Sequence, residues 1–558
     1  MKEYPWFKQY DPDVPRTLQP YPIFTPLDVF YDSLRQKPDY PMIIFRGREV
    51  SYKEVEEHSN ALAAALVAWG VKKGDRVVSL FTNCPQSMIA FLGIWKAGAI
   101  AVPLNPLYTP FELQHSLDSV EPKVAIVGTD WYGMLKSLQL HTKLEWIVVS
   151  DLDTYINSSI KREGESLRLE KGDSWWSDVV TKYSGKGRPA VEVRPSDTAV
   201  ILFSGGTTGT PKGVMQSHHS IVITGIQHKT WYQSVVTEWE DKIAVVLPLF
   251  HSYGLYICFG SHLMNHAPQV LIPNPRDVKS IVDTIRDYKT AGISVVPTSL
   301  IAILNHPDLK PDDLRSLKNV GCGAAPLMME TKSQFERLIS GRVVEGYGLT
   351  ESGIVGANNP VKGQHKLGSA GIPLPDVVLR TVDVDTGTRE LKPGEEGEVI
   401  IKAPQVMQGY WKRPEETAEA LRNGWLYTGD IGYLDEDGYL FLTARKKDLI
   451  KSAGFQVWPR EIEEVLSMHP AIAEVCVAGI PDRHRVEAVK AWVVLKQGVQ
   501  VTEEELRDFC RQRLTGYKVP HFFEFRTELP KTTVGKVLRR ALQEEERTRL
   551  LKGDNRTT

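Results

Sequence analysis

Short apolar runs alternate with longer amphipathic stretches through the first half of the chain, and this alternation constrains the fold more than any other feature. "RVVSLF" (76–81), "AIAVPL" (99–104), "KVAIVG" (123–128) and "EWIVVS" (145–150) each have the length and composition of a strand buried on both faces. Helical patterns lie between or before them. "VSYKEVEEHSNALAAALVAWG" (50–70) opens on a capping box, Ser51 with Glu54, and stops at Gly70, and "QSMIAFLGIWKAG" (86–98) follows the first run. Strands and helices in alternation predict βαβ units and a largely parallel sheet.

The pattern then meets glycine. "DTAVILFS" (197–204) predicts a strand, the stretch "LFSGGTTGTPKGV" (202–214) its turn, and the chain after Met215 a helix. Further on, "SVVP" (294–297), "NVGCGAAP" (319–326) and "RVVEGYGLTESG" (342–353) place two more strand ends in glycine-rich turns, at Gly321 and Gly346. Ligands of open α/β sheets gather outside the carboxyl ends of the strands, so three such turns predict one shared crevice. After Gly397 the pattern becomes antiparallel, with "DEDG" (435–438) as a hairpin turn. The tail reads as a helix to about Met468, strands "EVCVAGI" (474–480) and "AVKAWVVL" (488–495), a helix "TEEELRDFCRQRL" (502–514) and a short strand near Phe522. The expected class is therefore α/β: a large N-terminal domain, 1–444, of mostly parallel sheets flanked by helices plus a small antiparallel subdomain, then a small mobile α+β C-terminal domain, 445–558, with a hinge near Lys447.

Composition narrows the function classes. The 67 basic and 69 acidic residues leave a net charge of −2, which provides no global attraction to nucleic acid or to an anionic membrane. The five cysteines, Cys84, Cys258, Cys322, Cys476 and Cys510, form no CxxC pair and read as buried thiols in a reducing compartment. The N-terminus lacks the apolar core of a secretory signal, and the expected location is cytoplasmic. Ile243–Met264 carries no charged residue and is long enough to span a bilayer, but Pro248, His251, Ser252 and His262 interrupt it. It predicts a buried strand, a loop over Pro248–Gly254 and a buried helix. Peripheral membrane contact and a homodimer stay open.

The stretch 202–214 has the chemistry of an anion cradle. Its glycines let backbone N–H groups approach phosphate oxygens, Ser204, Thr207, Thr208 and Thr210 add hydroxyl donors, and Lys212 adds a point charge. Pro211 and Gly213 flank the lysine, so the GxxxxGK[ST] pattern fails, and GxGxxG fails as well. "SGGTTGTPKG" resembles instead the signature of the adenylate-forming superfamily of acyl-CoA synthetases, aryl-acid CoA ligases, luciferases and peptide-synthetase adenylation domains. It is joined in order by "GAAP" (323–326), "YGLTE" (347–351), "YTGD" (427–430), "ARKKDLIKSAGFQVWP" (444–459) and "PKTTVGKVLRR" (530–540).

The resemblance implies activation of a carboxylate by ATP with Mg²⁺, release of pyrophosphate, and transfer of the acyl group to coenzyme A. It implies that Ser204, Gly205, Gly206, Thr207, Thr208, Gly209, Thr210 and Lys212 hold the β- and γ-phosphates. Glu351, with Thr208, is the implied Mg²⁺ partner, and Thr350 touches the α-phosphate. Gly323, Ala324, Ala325, Gly346, Tyr347 and Gly348 line the adenine, and Asp430 and Arg445 take the ribose. Lys536 is the implied lysine of the adenylation step, carried in by a rotation about Lys447. After rotation Lys451, Ser452, Ala453, Gly454 and Gln456 face the thioester site; "SAG" stands there where many relatives have two glycines.

His251 matches a histidine beside the substrate carboxylate, and Tyr253, Thr298, Gly323 and Gly353 complete the implied acid pocket. No aspartate lies between Ile243 and Met264 and the chain has no carrier-protein serine motif, so an amino acid is disfavoured as substrate. The N-terminal layout resembles long-chain fatty acyl-CoA ligases and implies a fatty acid of medium to long chain; an aryl acid, or a relative that binds nucleotide without catalysis, remains the alternative. Tyr4, Trp6, Phe7 and Tyr10 either pack the terminus onto its own domain or rest on a membrane, and packing is the expected use.

Overall fold

The computed structural model describes residues 3–156, 167–204, 211–325, 327–446, 448, 450–452, 455–457, 459–482, 486–532 and 537–551. The chain groups into two compact units: Met1–Val378 with Ile401–Leu426, and Leu379–Ile400 with Tyr427–Thr558.

Among the described residues the first unit carries two large sheets. In one, strands Arg76–Leu80, Ile100–Pro103, Val124–Gly128, Trp146–Ser150 and Ser174–Trp175 run parallel, as the apolar runs predict. That sheet continues through β1 (Thr198–Ser204) to β2 (Lys212–Ser217). Here the structure departs from the expected strand, turn and helix. β2 is a strand, antiparallel to β1, with Ser204 opposite Lys212. Helix α1 (His218–Tyr232) starts only after it, capped by the Ser217 hydroxyl, which accepts from the Ser220 N–H at 3.0 Å. β2 thus intervenes between the glycine stretch and the start of α1. Gly213 makes this pairing possible: a Cβ there would lie 2.8 Å from Ile201 Cγ2 and 3.3 Å from Trp411 Cβ.

The second large sheet includes Ile243–Val245, Gln269–Leu271, β3 (Gly292–Val295), β4 (Asn319–Cys322) and β5 (Arg342–Tyr347), all mutually parallel. The apolar segment near residue 250 is a strand, a loop, a short helix α2 (Ser252–Tyr256) and a π-helical turn, Ile257–His262. The helix begins two residues before the expected end of the loop because His251 caps it. No helix of the described residues is long and apolar enough to cross a membrane. The N-terminal aromatics pack onto their own unit: Tyr4 stacks on Trp6, Tyr10 meets Trp231 edge-on with centroids 5.4 Å apart, and the Tyr10 hydroxyl donates to the Pro373 carbonyl at 2.8 Å. All five cysteines are buried and free.

The second unit carries the antiparallel pair Trp425–Leu434 and Leu440–Arg445. Its "DEDG" turn is closed by Asp435, whose carboxylate accepts from the Asp437 and Tyr439 N–H groups at 3.0 and 2.9 Å. Beyond lie helix α3 (Pro459–Ser467), the long antiparallel strands Ile472–Asp482 and Val486–Leu495, and helix α4 (Arg539–Leu551).

Three histidines of the first unit are held neutral by burial. It lowers His218 to about 3, His228 to about 4 and His262 to about 3. The unfolded chain takes up a proton at each near the ordinary histidine value of about 6.5. Stability is therefore intact above about pH 6.5 and falls as the pH drops toward 4, by up to about 1.4 kcal/mol per pH unit for each group. Urea midpoints measured at pH 7 and pH 5 should differ in that sense; equal midpoints would show that these rings are not buried in solution.

Candidate functional site

The neck of the glycine hairpin sets the first part of the site. Ser204 and Lys212 face each other there, at the end of β1 and the start of β2. On its other edge β2 pairs with the short strand Gly409–Tyr410. This register brings the Tyr410 ring under Lys212, whose Nζ lies 4.8 Å from the ring centroid. The Tyr410 hydroxyl donates to Glu351 Oε1 at 3.0 Å, and the Met407 N–H donates to the Glu351 carbonyl at 2.8 Å. Burial first, and Glu351 second, push the Tyr410 phenol far above its ordinary value, so it remains a donor. Lys212, Tyr410 and Glu351 thus form a cation–aromatic–carboxylate cluster beside β2.

The second part lies at the carboxyl ends of β4 and β5. Cys322 pairs with Glu345, so Gly323, which follows β4, adjoins Gly346 near the end of β5. A Cβ at Gly323 would stand 3.3 Å from the Gly346 carbonyl and 3.5 Å from the Tyr253 ring, and Ala324 takes a left-handed φ of 69°. Gly321 and Gly346, expected in turns, instead lie inside β4 and β5, which run on to Cys322 and Tyr347, and it is the carboxyl ends of these two paired strands that adjoin. Thr350 follows directly: its hydroxyl is 2.9 Å from that of Ser252, and its carbonyl accepts from Gln216 Nε2 at 2.8 Å. His251 caps α2, its Nδ1 accepting from the Tyr253 N–H at 3.2 Å. Burial, then the neighbouring Tyr232, drives the Tyr253 phenol upward. Thr298 sits in the first turn of the helix that follows β3, and Gly353 accepts at its carbonyl from Thr224 Oγ1 at 3.2 Å.

In the second unit, Asp430 and Arg445 lie opposite each other in the antiparallel pair, with Arg445 Nε 2.8 Å from Asp430 Oδ1. Asp430 is buried and Arg445 half-buried, so the carboxylate is oriented by a fixed guanidinium. Ser452 is buried. Arg539 joins three places in this unit: its guanidinium bonds the Asp448 and Glu463 carboxylates at 2.5 and 2.7 Å and the Val477 carbonyl at 2.8 Å. The segment after Lys447 and the one after Lys536 are therefore tied through one half-buried arginine.

Gly205, Gly206, Thr207, Thr208, Gly209, Thr210, Lys447, Ala453, Gly454 and Lys536 lie outside the described residues, and Ser204, Lys451 and Gln456 are described in their backbone alone. Four contributors escaped sequence reasoning: Tyr410, Ser252, Asn358, whose Oδ1 would lie 2.1 Å from a Cβ at Gly346, and Arg539. "QGYW" offered a signal for Tyr410, since a tyrosine on a strand ending near Lys212 is a natural cation shelf. Nothing local marks the others.

The family described as AMP-binding enzyme matches residues 30–411, and the AMP-binding enzyme C-terminal domain matches residues 461–536. A long-chain-fatty-acid–CoA ligase of Bacillus subtilis is 38% identical over 97% of this chain and 98% of its own length. The ATP-bound structure of MatB from Rhodopseudomonas palustris superposes with a TM-score of 0.84 at 27% identity, over 94% of this chain and 99% of that one. An anthranilate CoA ligase in complex with anthranoyl-AMP has the same TM-score and identity, over 97% and 99% of the two chains.

Proposed function

We propose, since the chain belongs to the AMP-binding enzyme family, that it is an ATP-dependent acyl-CoA ligase whose substrate is a fatty acid of medium to long chain. The full-length likeness to the Bacillus ligase supports the substrate class. The observation that carries the chemistry is the cluster Lys212–Tyr410–Glu351 at the neck of the glycine hairpin. In the first half-reaction a carboxylate oxygen of the acid bonds to the α-phosphorus of ATP, the bond to the bridging oxygen breaks, and pyrophosphate leaves. Two anions meet, so the chain must gather positive charge and hydrogen-bond donors at the phosphates. Lys212 and the hairpin N–H groups are assigned to the departing end, Thr350 to the α-phosphate, and Asp430 with Arg445 to the ribose.

Glu351 and Thr208 fit Mg²⁺: one half-buried carboxylate and one hydroxyl leave most positions to water and phosphate oxygens, the manner in which Mg²⁺ is usually held. The described residues offer no cluster of three or more acidic, histidine or cysteine ligands, which agrees with an ion shared with its nucleotide. When bound, the ion neutralises phosphate charge. Tyr410 orients the Glu351 carboxylate toward it. Tyr410→Phe should therefore raise the Mg²⁺ concentration needed for half-maximal adenylation about tenfold, the cost of one hydrogen bond to a charged group; an unchanged Mg²⁺ dependence would remove Tyr410 from the site.

In the second half-reaction the thiol sulfur of coenzyme A bonds to the acyl carbon and AMP leaves. We place the hinge between the two states at Lys447, with Lys451, Ser452 and Gln456 turned toward the thioester site afterwards and Lys536 toward the adenylate site before. A second reading, an aryl acid as substrate, is favoured by the likeness to the anthranilate ligase. A non-catalytic nucleotide binder is disfavoured, because Lys212, Glu351, Asp430, Arg445 and Lys536 are all retained. Pyrophosphate release over a panel from acetate to palmitate plus aryl acids, with the coenzyme A thioester identified, decides among them. A medium- or long-chain fatty acid should be the best substrate. A best substrate among the aryl acids would move the assignment to the second reading, and silence across the panel would end both.

A further inference from the structure

One face of α1 carries a polar stripe that the proposed chemistry leaves unused. Thr224, His228 and Tyr232 follow each other at four-residue spacing and so share that face. The stripe runs beside the acid site. Tyr232 is close enough to Tyr253 to help raise its phenol, and its hydroxyl takes a hydrogen bond from Asn358 Nδ2 at 3.5 Å. Asn358 itself abuts Gly346. At the other end, Thr224 bonds the carbonyl of Gly353. His228 lies between, stacked on Tyr232 with ring centroids 6.0 Å apart and planes 7° from parallel.

The π-helical turn closes the same seam. α1 meets it backbone to backbone: a Cβ at Gly225 would come within 2.8 Å of the Gly260 carbonyl carbon. That approach sets His228, one turn past Gly225, near His262, two residues past Gly260, and His262 lies within the electrostatic reach of His228. π-turns of this kind recur at functional sites. Tyr232, Tyr253 and His262 are enclosed enough for burial to dominate their titration, yet each keeps part of its surface open, as side chains lining an internal cleft do.

His228 is 6% exposed, and neither of its ring nitrogens has a partner among the described residues. A buried neutral imidazole carries one donor and one acceptor, and leaving both unmade costs about 1–3 kcal/mol each. A wholly alkyl chain lying against it satisfies neither. A hydroxyl group satisfies both kinds, since it donates and accepts. A second carboxylate needs a cation, and the stripe of Thr224, His228 and Tyr232 has none.

We infer that the inner end of the acid site is a hydrogen-bonding pocket built on His228, and that the acids this chain prefers carry a hydroxyl group away from the reacting carboxylate. The inference rests on the acyl-CoA ligase reading and narrows its substrate class. His228 is here a specificity residue, remote from the bonds that change.

The test compares kcat/KM for pyrophosphate release with a series of ω-hydroxy fatty acids of increasing length, each beside the unsubstituted acid of equal length, and with para-hydroxycinnamate beside cinnamate. At the length that reaches His228, the hydroxy acid should be preferred about tenfold or more, because a site built to bond a hydroxyl discriminates strongly against its absence. His228→Leu should abolish that preference and raise activity toward the plain acid, while His228→Gln, which keeps a donor and an acceptor, should retain part of it. His228→Gln also serves if the leucine variant fails to fold. Hydroxy and plain acids used alike at every length, or a preference that survives His228→Leu, would overturn the inference and leave the ligase reading standing. Silence with every acid would overturn both.

Discussion

Lys536→Ala should lower the rate of acyl-adenylate formation by about 10²–10³-fold while ATP binds within a few-fold of its original affinity. The barrier to the first half-reaction is the approach of a carboxylate to a triphosphate, and one preorganised cation at the point of attack is worth about 3–4 kcal/mol in a dry site. In the proposed assignment other residues hold ATP, and the substitution leaves them in place. The anchor of the segment bearing Lys536 is Arg539, three residues on, whose bonds to Asp448, Glu463 and the Val477 carbonyl fix that end of the loop to the core of the second unit. Burial opposes the charge of Arg539, but the carboxylates of Glu463 and Asp448 more than compensate and hold it cationic. A variant that forms adenylate at the original rate would remove Lys536 from the reaction. A variant that also fails to bind ATP would show that its effect is structural.

Lys447→Pro should separate the half-reactions in the other direction. Proline restricts its own φ and biases the preceding residue, Lys446, away from helical backbone angles. If the chain beyond Lys447 turns about this point, a hinge frozen in one state spares the reaction of that state alone. Adenylation, followed by pyrophosphate release, should stay within several-fold. Thioester formation, followed from pre-formed acyl adenylate, should fall about a hundredfold or more, the size of effect expected when a gating motion completes the site. Equal losses in both steps would place the hinge elsewhere.

The alternation of apolar runs and amphipathic stretches carried most of the fold, because parallel strands buried on both faces leave an uninterrupted hydrophobic signature. The region after Lys212 was misread for a physical reason. Glycine, proline and lysine there suggest a turn feeding a helix, and the strand is only Lys212–Ser217. Its buried residues Gly213, Val214 and Gln216 follow no clean alternation, and six residues do not stand out beside a fifteen-residue helix. The consequence matters for the site: β2 separates the glycine stretch from the N-terminus of α1, and Lys212 stands at the start of a strand.

Local motifs carried part of the geometry: Gly323 follows the end of β4 as expected, whereas Gly346 lies inside β5 because its strand runs on to Tyr347. The candidate site was illegible where two distant segments meet. Tyr410 reaches Glu351 across 59 positions of sequence, and Ser252 reaches Thr350 across 98. His228 reads as one more apolar-face histidine until its neighbours are known; only the absence of partners for both ring nitrogens gives it chemical meaning.

The central claim is that this chain joins an acid to AMP before it joins it to coenzyme A, and oxygen tracing tests that most directly. With the carboxylate labelled by heavy oxygen, attack on the α-phosphorus leaves one acid-derived oxygen on phosphorus when the thiol displaces AMP. The account predicts heavy oxygen in AMP, one atom per thioester formed, and none in inorganic phosphate. Label appearing in inorganic phosphate, with ADP as the nucleotide product, would contradict it.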